Sequence, residues 1–255
     1  MTTYSELSLV AQTAYAQLFD ATLAADLSRS VANLRGSFAA KTVKGRNYWY
    51  FQFTDLGGSL RQLYVGPDSE QIRLLVGQTK QRRDEPLLPL ARSAIVLGCA
   101  AVLPRHFRVI RRLSEYGFFA AGGVLVGTHA FLAHGNLLGV RWAEASRTQD
   151  VDLAHAGKNV SVALPATLQV DTHAPIESLR LGLLPTQALS GKSGTSYLNP
   201  KEPEFRVDFL TTLHRGKEKP FEHPQLRVAL QPLKFMEYSL ENVIQAVLFC
   251  QEGAV

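Results

Sequence analysis

Two stretches of this chain alternate polar and apolar residues in the manner of a half-buried strand, QDVDLAH at residues 149–155 and EFRVDFLTT at residues 204–212. Side chains two apart on a strand point to the same face, so Asp150 and Asp152 project side by side. Carboxylates that close repel unless a cation or protons lie between them. Asp208, flanked by apolar anchors in FRVDFL, offers a third carboxylate on a second strand. An Asp-Val-Asp run alone is also common on strand edges. Three carboxylates on neighbouring strands suit a hard cation such as Mg²⁺, which takes a few carboxylate oxygens plus water and substrate phosphates.

The residues before the acidic strand complement it. AGGVLVG, residues 121–127, reads as a short buried strand and a turn, and THAFLAHGNLLG, residues 128–139, as a short helix ended by glycine. Gly127 lets the backbone approach a ligand closely, and amides at the start of the following helix can bind an anion. Thr128 adds a hydroxyl. Phosphates on the Gly-Thr turn and metal on the carboxylates is the layout expected for a nucleoside triphosphate.

The N-terminal part has a different character. Residues 3–34 are Ala/Leu-rich, lack Pro and Gly, and predict one or two helices. Residues 36–67 turn aromatic and β-branched, broken at Lys44-Gly45-Arg46 and at Asp55-Leu56-Gly57-Gly58, which predicts three antiparallel strands at about 37–43, 47–54 and 60–65. Pro67-Asp68 starts a helix expected through about Arg83. A more apolar helix is expected after Pro86 and Pro89, running to about Val102, and another from Pro104 that Gly117 weakens. Beyond the acidic strand the pattern predicts a helix near Pro175–Leu183, a polar loop in SGKSGTS, then a strand, a helix around Leu233–Leu240 and a final strand.

At 255 residues and 28.1 kDa, with 46% hydrophobic residues, the chain can bury one large core or two modest ones. The expected division is a helical region at 1–117, with its small sheet at about 36–66, and an α/β (α+β) core with a mixed sheet at 118–255. The net charge of +5 conceals an uneven distribution: residues 1–115 hold 15 Lys/Arg against 9 Asp/Glu, and residues 116–255 hold 12 against 13. A basic N-terminal surface attracts phosphate backbones, although a solvated helix face reads the same way. Cys99 and Cys250 have no metal or redox spacing and suit a reducing cytosol. The N-terminus lacks the basic and apolar regions of a signal peptide, and the longest apolar run, Ser93 to Leu103, is shorter than the roughly 20 residues of a spanning helix. A cytoplasmic protein without a membrane segment is the expectation.

An apolar-Gly-[Gly/Ser] strand-to-helix turn, an Asp-apolar-[Asp/Glu] strand and a later acidic strand together form the signature of the polymerase-β-like nucleotidyltransferase superfamily. LVGTHAF, TQDVDLA and RVDFL resemble those three elements in that order. The wider frame is similar to a bacterial nucleotidyltransferase-like subgroup, over roughly residues 118–250. The resemblance implies that Gly127 and Thr128 bind the triphosphate of ATP or another NTP. It also implies that Asp150, Asp152 and Asp208 bind two Mg²⁺ (or Mn²⁺) ions, and that a nucleoside monophosphate passes to a hydroxyl of an RNA, protein or small-molecule acceptor. Here Thr128 replaces the usual Gly or Ser, and 21 residues separate it from Asp150. An inserted loop, GVRWAEASRT, is expected to absorb the excess, with Arg141 or Arg147 either reaching substrate or simply solvated. The final AVLFCQEGAV looks like the start of a strand with no closing helix, as in a truncated or naturally short core.

Several residues keep two readings. Arg206 shares the face of Asp208 and either binds phosphate or pairs with a carboxylate as a structural salt bridge. Lys192 either meets phosphates or is a solvated loop lysine; its surroundings lack the full P-loop pattern. His129 reads as a packing or hydrogen-bonding residue near the turn. In KTVKGRNYWYFQF, Lys41, Lys44 and Arg46 interleave with Tyr48, Trp49, Tyr50 and Phe51, a mixture that suits phosphate contact with base stacking, or a core-facing sheet. The rival to an enzyme is a non-catalytic nucleotide- or RNA-binding module that retains the nucleotidyltransferase fold.

Overall fold

The computed structural model describes residues 3–30, 36–54, 60–73, 76, 87–142, 148–156, 170–187, 193–213 and 218–255. Strand β1 (Tyr4–Glu6) precedes helix α1 (Leu9–Ser30). The helix expected from Thr3 therefore starts later, because Tyr4 to Glu6 pair antiparallel with β6 (Val140–Trp142). That pairing also corrects the expected loop, since Val140 to Trp142 form a strand and only 143–147 fall outside the described residues.

The three N-terminal strands form as expected: β2 (Gly36–Val43), β3 (Arg46–Thr54) and β4 (Leu60–Pro67), antiparallel in the order β2-β3-β4. Lys44 and Gly45, at φ of 50° and 76°, make the tight two-residue turn joining β2 to β3. The helix expected from Asp68 shows a helical turn at 70–73, and most of its remainder lies outside the described residues. Helix α2 (Leu87–Val96) stops short of Val102 because Gly98, at φ 102°, turns the chain back, its N–H bonding the Ile95 carbonyl and that of Cys99 the Ala94 carbonyl. Helix α3 (Pro104–Glu115) follows, with Pro in its first turn.

The main sheet is mixed. Strand β5 (Gly123–Leu125) leads into helix α4 (Gly127–Leu137) and pairs antiparallel with β7 (Asp150–His155). Strand β7 lies parallel to β10 (Glu202–Thr212), whose other edge carries β9 (Ser193–Asn199) and β12 (Val228–Leu233). Strands β8 (Leu184–Gln187) and β11 (Phe221–His223) complete it. Of the polar loop expected at SGKSGTS, Ser193 to Ser196 are strand, because Ser196 to Leu198 pair along β10, and residues 190–192 lie outside the described residues. Helix α5 (His173–Ser178) is shorter than expected; the Asp171 carboxylate accepts from its first N–H groups, and Arg180, at φ 52°, follows its end. Helix α6 (Glu237–Glu241) and the hairpin β13 (Phe249–Cys250) to β14 (Gly253–Ala254) finish the chain.

Alternation decides which face of the sheet carries chemistry. Val151 and Leu153 of β7 and Phe205, Val207 and Phe209 of β10 enter the main core, where Phe107, Ile110 and Leu113 of α3 meet them. The intervening residues Asp150, Asp152, Arg206 and Asp208 therefore point the other way. Farther along that face Ala154 and Leu210 pack with Val126 and Leu240.

A separate cluster joins α1, α2 and the C-terminal hairpin: Ala11, Tyr15 and Leu18 pack with Leu87, Ala91, Val247, Phe249 and Ala254. The Tyr15 hydroxyl donates to the Val247 carbonyl at 3.4 Å and accepts from its N–H at 3.1 Å. Tyr15→Phe leaves both buried groups without that partner, so denaturant melts should show a loss of about 1–3 kcal/mol. No helix among the described residues is long and apolar enough to cross a membrane.

Candidate active site

Register places the acidic residues together. On the parallel pair β7 and β10, Asp152 stands opposite Asp208 and Asp150 opposite Arg206. One carboxylate oxygen from each of Asp150, Asp152 and Asp208 lies within 4.8 Å of the others, and all three residues are half-buried. Arg206 bridges two of them, its Nε 2.9 Å from Asp208 and its terminal nitrogen 3.2 Å from Asp150. Arg206 thus pairs with carboxylates, and its side chain remains 51% exposed.

The turn before α4 closes the site from the side. The Val126 N–H donates to the Asp152 carbonyl at 3.0 Å, which pins the start of the helix to the acidic strand. Gly127 has φ 65°, and a Cβ there would sit 2.2 Å from the Asp152 carboxylate oxygen. The left-handed conformation favours glycine, and any Cβ there would displace the Asp152 carboxylate. Val126 at the N-cap provides no side-chain acceptor, so the first amides of α4 are uncapped by a side chain.

Electrostatics separates the three acids. Partial burial raises Asp150, but the Thr148 hydroxyl, its own backbone N–H and Arg206 outweigh that and hold its carboxyl below the usual value. Asp152 is pushed up to about 6 by burial and by the charges of Asp150 and Asp208, which Arg206 only partly offsets. One guanidinium thus faces three carboxylates, and the deficit of positive charge falls on Asp152. The donor set, all carboxylate oxygen, and the repulsion within it fit a divalent hard cation.

Thr128 opens onto a cavity beside the triad that is also lined by His106, His129, Arg141, Trp142 and Thr148. His129 does hydrogen-bond near the turn, its Nε2 3.0 Å from His106 Nδ1. Burial lowers both imidazoles to about 4, so the pair is neutral at neutral pH. The His106 ring stacks on Phe205 at 5.5 Å, and Arg105 covers the same phenyl group while pairing with Glu202 at 2.7 Å and with Gln149. No sequence motif marks this support of the Asp208 strand by Arg105 and His106. The one available signal was the spacing of His106, Val109, Ile110 and Leu113, which places His106 on the buried stripe of α3. Lys192 and Arg147 lie outside the described residues.

Residues 105–255 match the model of a protein family described as Nucleotidyltransferase. The match spans more than half of the 255 residues, and the chain belongs to this nucleotidyltransferase family. No curated protein and no solved structure gives a match.

Proposed function

We propose that this chain transfers a nucleoside monophosphate from an NTP, with ATP one candidate donor, to an acceptor hydroxyl and releases pyrophosphate. The observation that carries the reading is the convergence of Asp150, Asp152 and Asp208 across the parallel strands, with Gly127 making room for the Asp152 carboxylate. Asp150, Asp152 and Asp208 would hold Mg²⁺ or Mn²⁺. When bound, such a cation neutralises phosphate charge and makes the attacking hydroxyl more acidic. The amides that open α4 and the Thr128 hydroxyl bind the triphosphate, and Arg206, from the edge of the triad, takes part of its charge. Lys192 is a further candidate contact to phosphate. The acceptor oxygen attacks the α-phosphorus in line, the bond from that phosphorus to the bridging oxygen breaks, and Asp208 assists removal of the acceptor proton.

The test incubates the protein with each α-labelled NTP, Mg²⁺ or Mn²⁺ and total cell extract, then follows label into RNA, protein and small molecules. Label is expected in one acceptor class, lost with chelator and with Asp150→Ala or Asp152→Ala. Unchanged labelling in a folded Asp150→Ala, Asp152→Ala double variant would falsify the proposal. Metal-independent nucleotide binding without transfer would favour the non-catalytic module.

A further inference from the structure

The β2-β3-β4 sheet lies outside the family match and takes no part in the proposed transfer. Its two faces differ in chemistry. By register and alternation, Phe38, Trp49, Phe51 and Leu63 share one face, with Phe38 and Phe51 in edge contact at 5.0 Å and the Trp49 indole donating to Asp68 at 2.9 Å. The other face carries Tyr48, Tyr50 and Tyr64 with Lys41, Arg46 and Gln62. A bulge at Val65 sets Tyr64, rather than Val65, opposite Tyr50. Tyr64 is 58% exposed, with its ring centroid 5.6 Å from Tyr50 and 6.2 Å from Tyr48. Lys41 Nζ lies 5.0 Å from the centre of the Tyr50 ring and bonds Gln62. Residues 36–54 and 60–67 contain no Asp or Glu, while Lys41, Lys44 and Arg46 lie along the first hairpin.

We infer that this tyrosine face is a binding surface for single-stranded RNA. Here three tyrosines stand on the polar face, where bases can stack on them in succession. The cations beside them meet the backbone, and the absence of any acid from the strands leaves no intramolecular partner of opposite charge within the sheet. Duplex presents no unstacked bases to such a platform. Gln62 and the tyrosine hydroxyls both donate and accept hydrogen bonds, matching the ribose 2′-hydroxyl that DNA lacks. The surface works without a divalent cation, and the inference stands independently of nucleotidyl transfer.

Binding of a fluorescent mixed-sequence 12-nucleotide RNA to the full chain, in chelator and at several salt concentrations, tests this. Binding is expected to weaken with salt at a log–log slope of about −2, as three phosphate contacts on a single strand give. Tyr64→Thr, which keeps strand propensity, should weaken it about 5- to 100-fold, while Tyr64→Phe retains most of it. The combined Lys41→Gln, Lys44→Gln, Arg46→Gln variant should flatten the salt dependence. Circular dichroism on each variant separates lost contact from lost fold. The inference is overturned if the RNA fails to bind at low salt, if folded Tyr64→Thr and the triple variant bind like the parent, or if DNA of the same sequence or duplex RNA binds as tightly.

Discussion

Asp152→Asn is expected to make the chain more stable at pH 7.5 in chelator while removing both cation binding and transfer. Asp152 is raised from 3.8 to about 6 in the folded protein, so the folded state holds a proton there that the unfolded chain releases near pH 4. The resulting stability is complete below pH 4 and is lost as pH rises through about 6. The loss amounts to about 3 kcal/mol by linkage and roughly 1–2 kcal/mol after solvent screening. Asparagine keeps the shape without the charge, so the variant should melt like the parent at pH 3.5 and at a higher temperature at pH 7.5. Millimolar Mg²⁺ or Mn²⁺ should recover the parent's deficit by binding the folded state and leave the variant unmoved. Under the proposed mechanism transfer should be lost as well, since one of the carboxylate charges offered to the cation is gone. A variant less stable than the parent at pH 7.5 without metal would count against this account of Asp152.

Gly127→Ala should damage the site with only one methyl group. The left-handed conformation at φ 65° costs an alanine about 1–2 kcal/mol, and its Cβ would meet the Asp152 carboxylate at 2.2 Å. Either that carboxylate turns away from Asp208 or the start of α4 shifts. Calorimetric titration with Mn²⁺ should show at least a tenfold loss of affinity, and Gly127→Ser should do no better, because the clash lies at Cβ. Affinity equal to the parent's would show that the close approach to Asp152 is unimportant for the cation.

The acidic strands were legible because their signal is local. Alternation around Asp150, Asp152 and Asp208 needs only the neighbouring residues, and Gly127 sits where an apolar run must turn. The main-chain elements around them, α3, α4 and the β2-β3-β4 sheet, carry equally local marks in Pro104, Gly127 and Lys44-Gly45. What escaped depends on distant partners. Strand β6 exists because Tyr4 to Glu6 arrive beside it, and β9 because β10 offers an edge; short, polar segments give no periodicity of their own. The support of Phe205 by Arg105 and His106 joins residues about a hundred positions apart, which no spacing rule within one element can foresee.

The cluster that Tyr15 completes binds the two ends of the chain to each other. A fragment cut at residue 105 would carry every aspartate of the site, yet it would bare the side chains of Val247, Phe249 and Ala254 that α1 and α2 cover. Helices α1 and α2 thus act as a built-in sheath for the C-terminal hairpin of the family-matched part. Dissecting this protein at the edge of its family match would yield a sticky remnant, and its inactivity would say nothing about the aspartates.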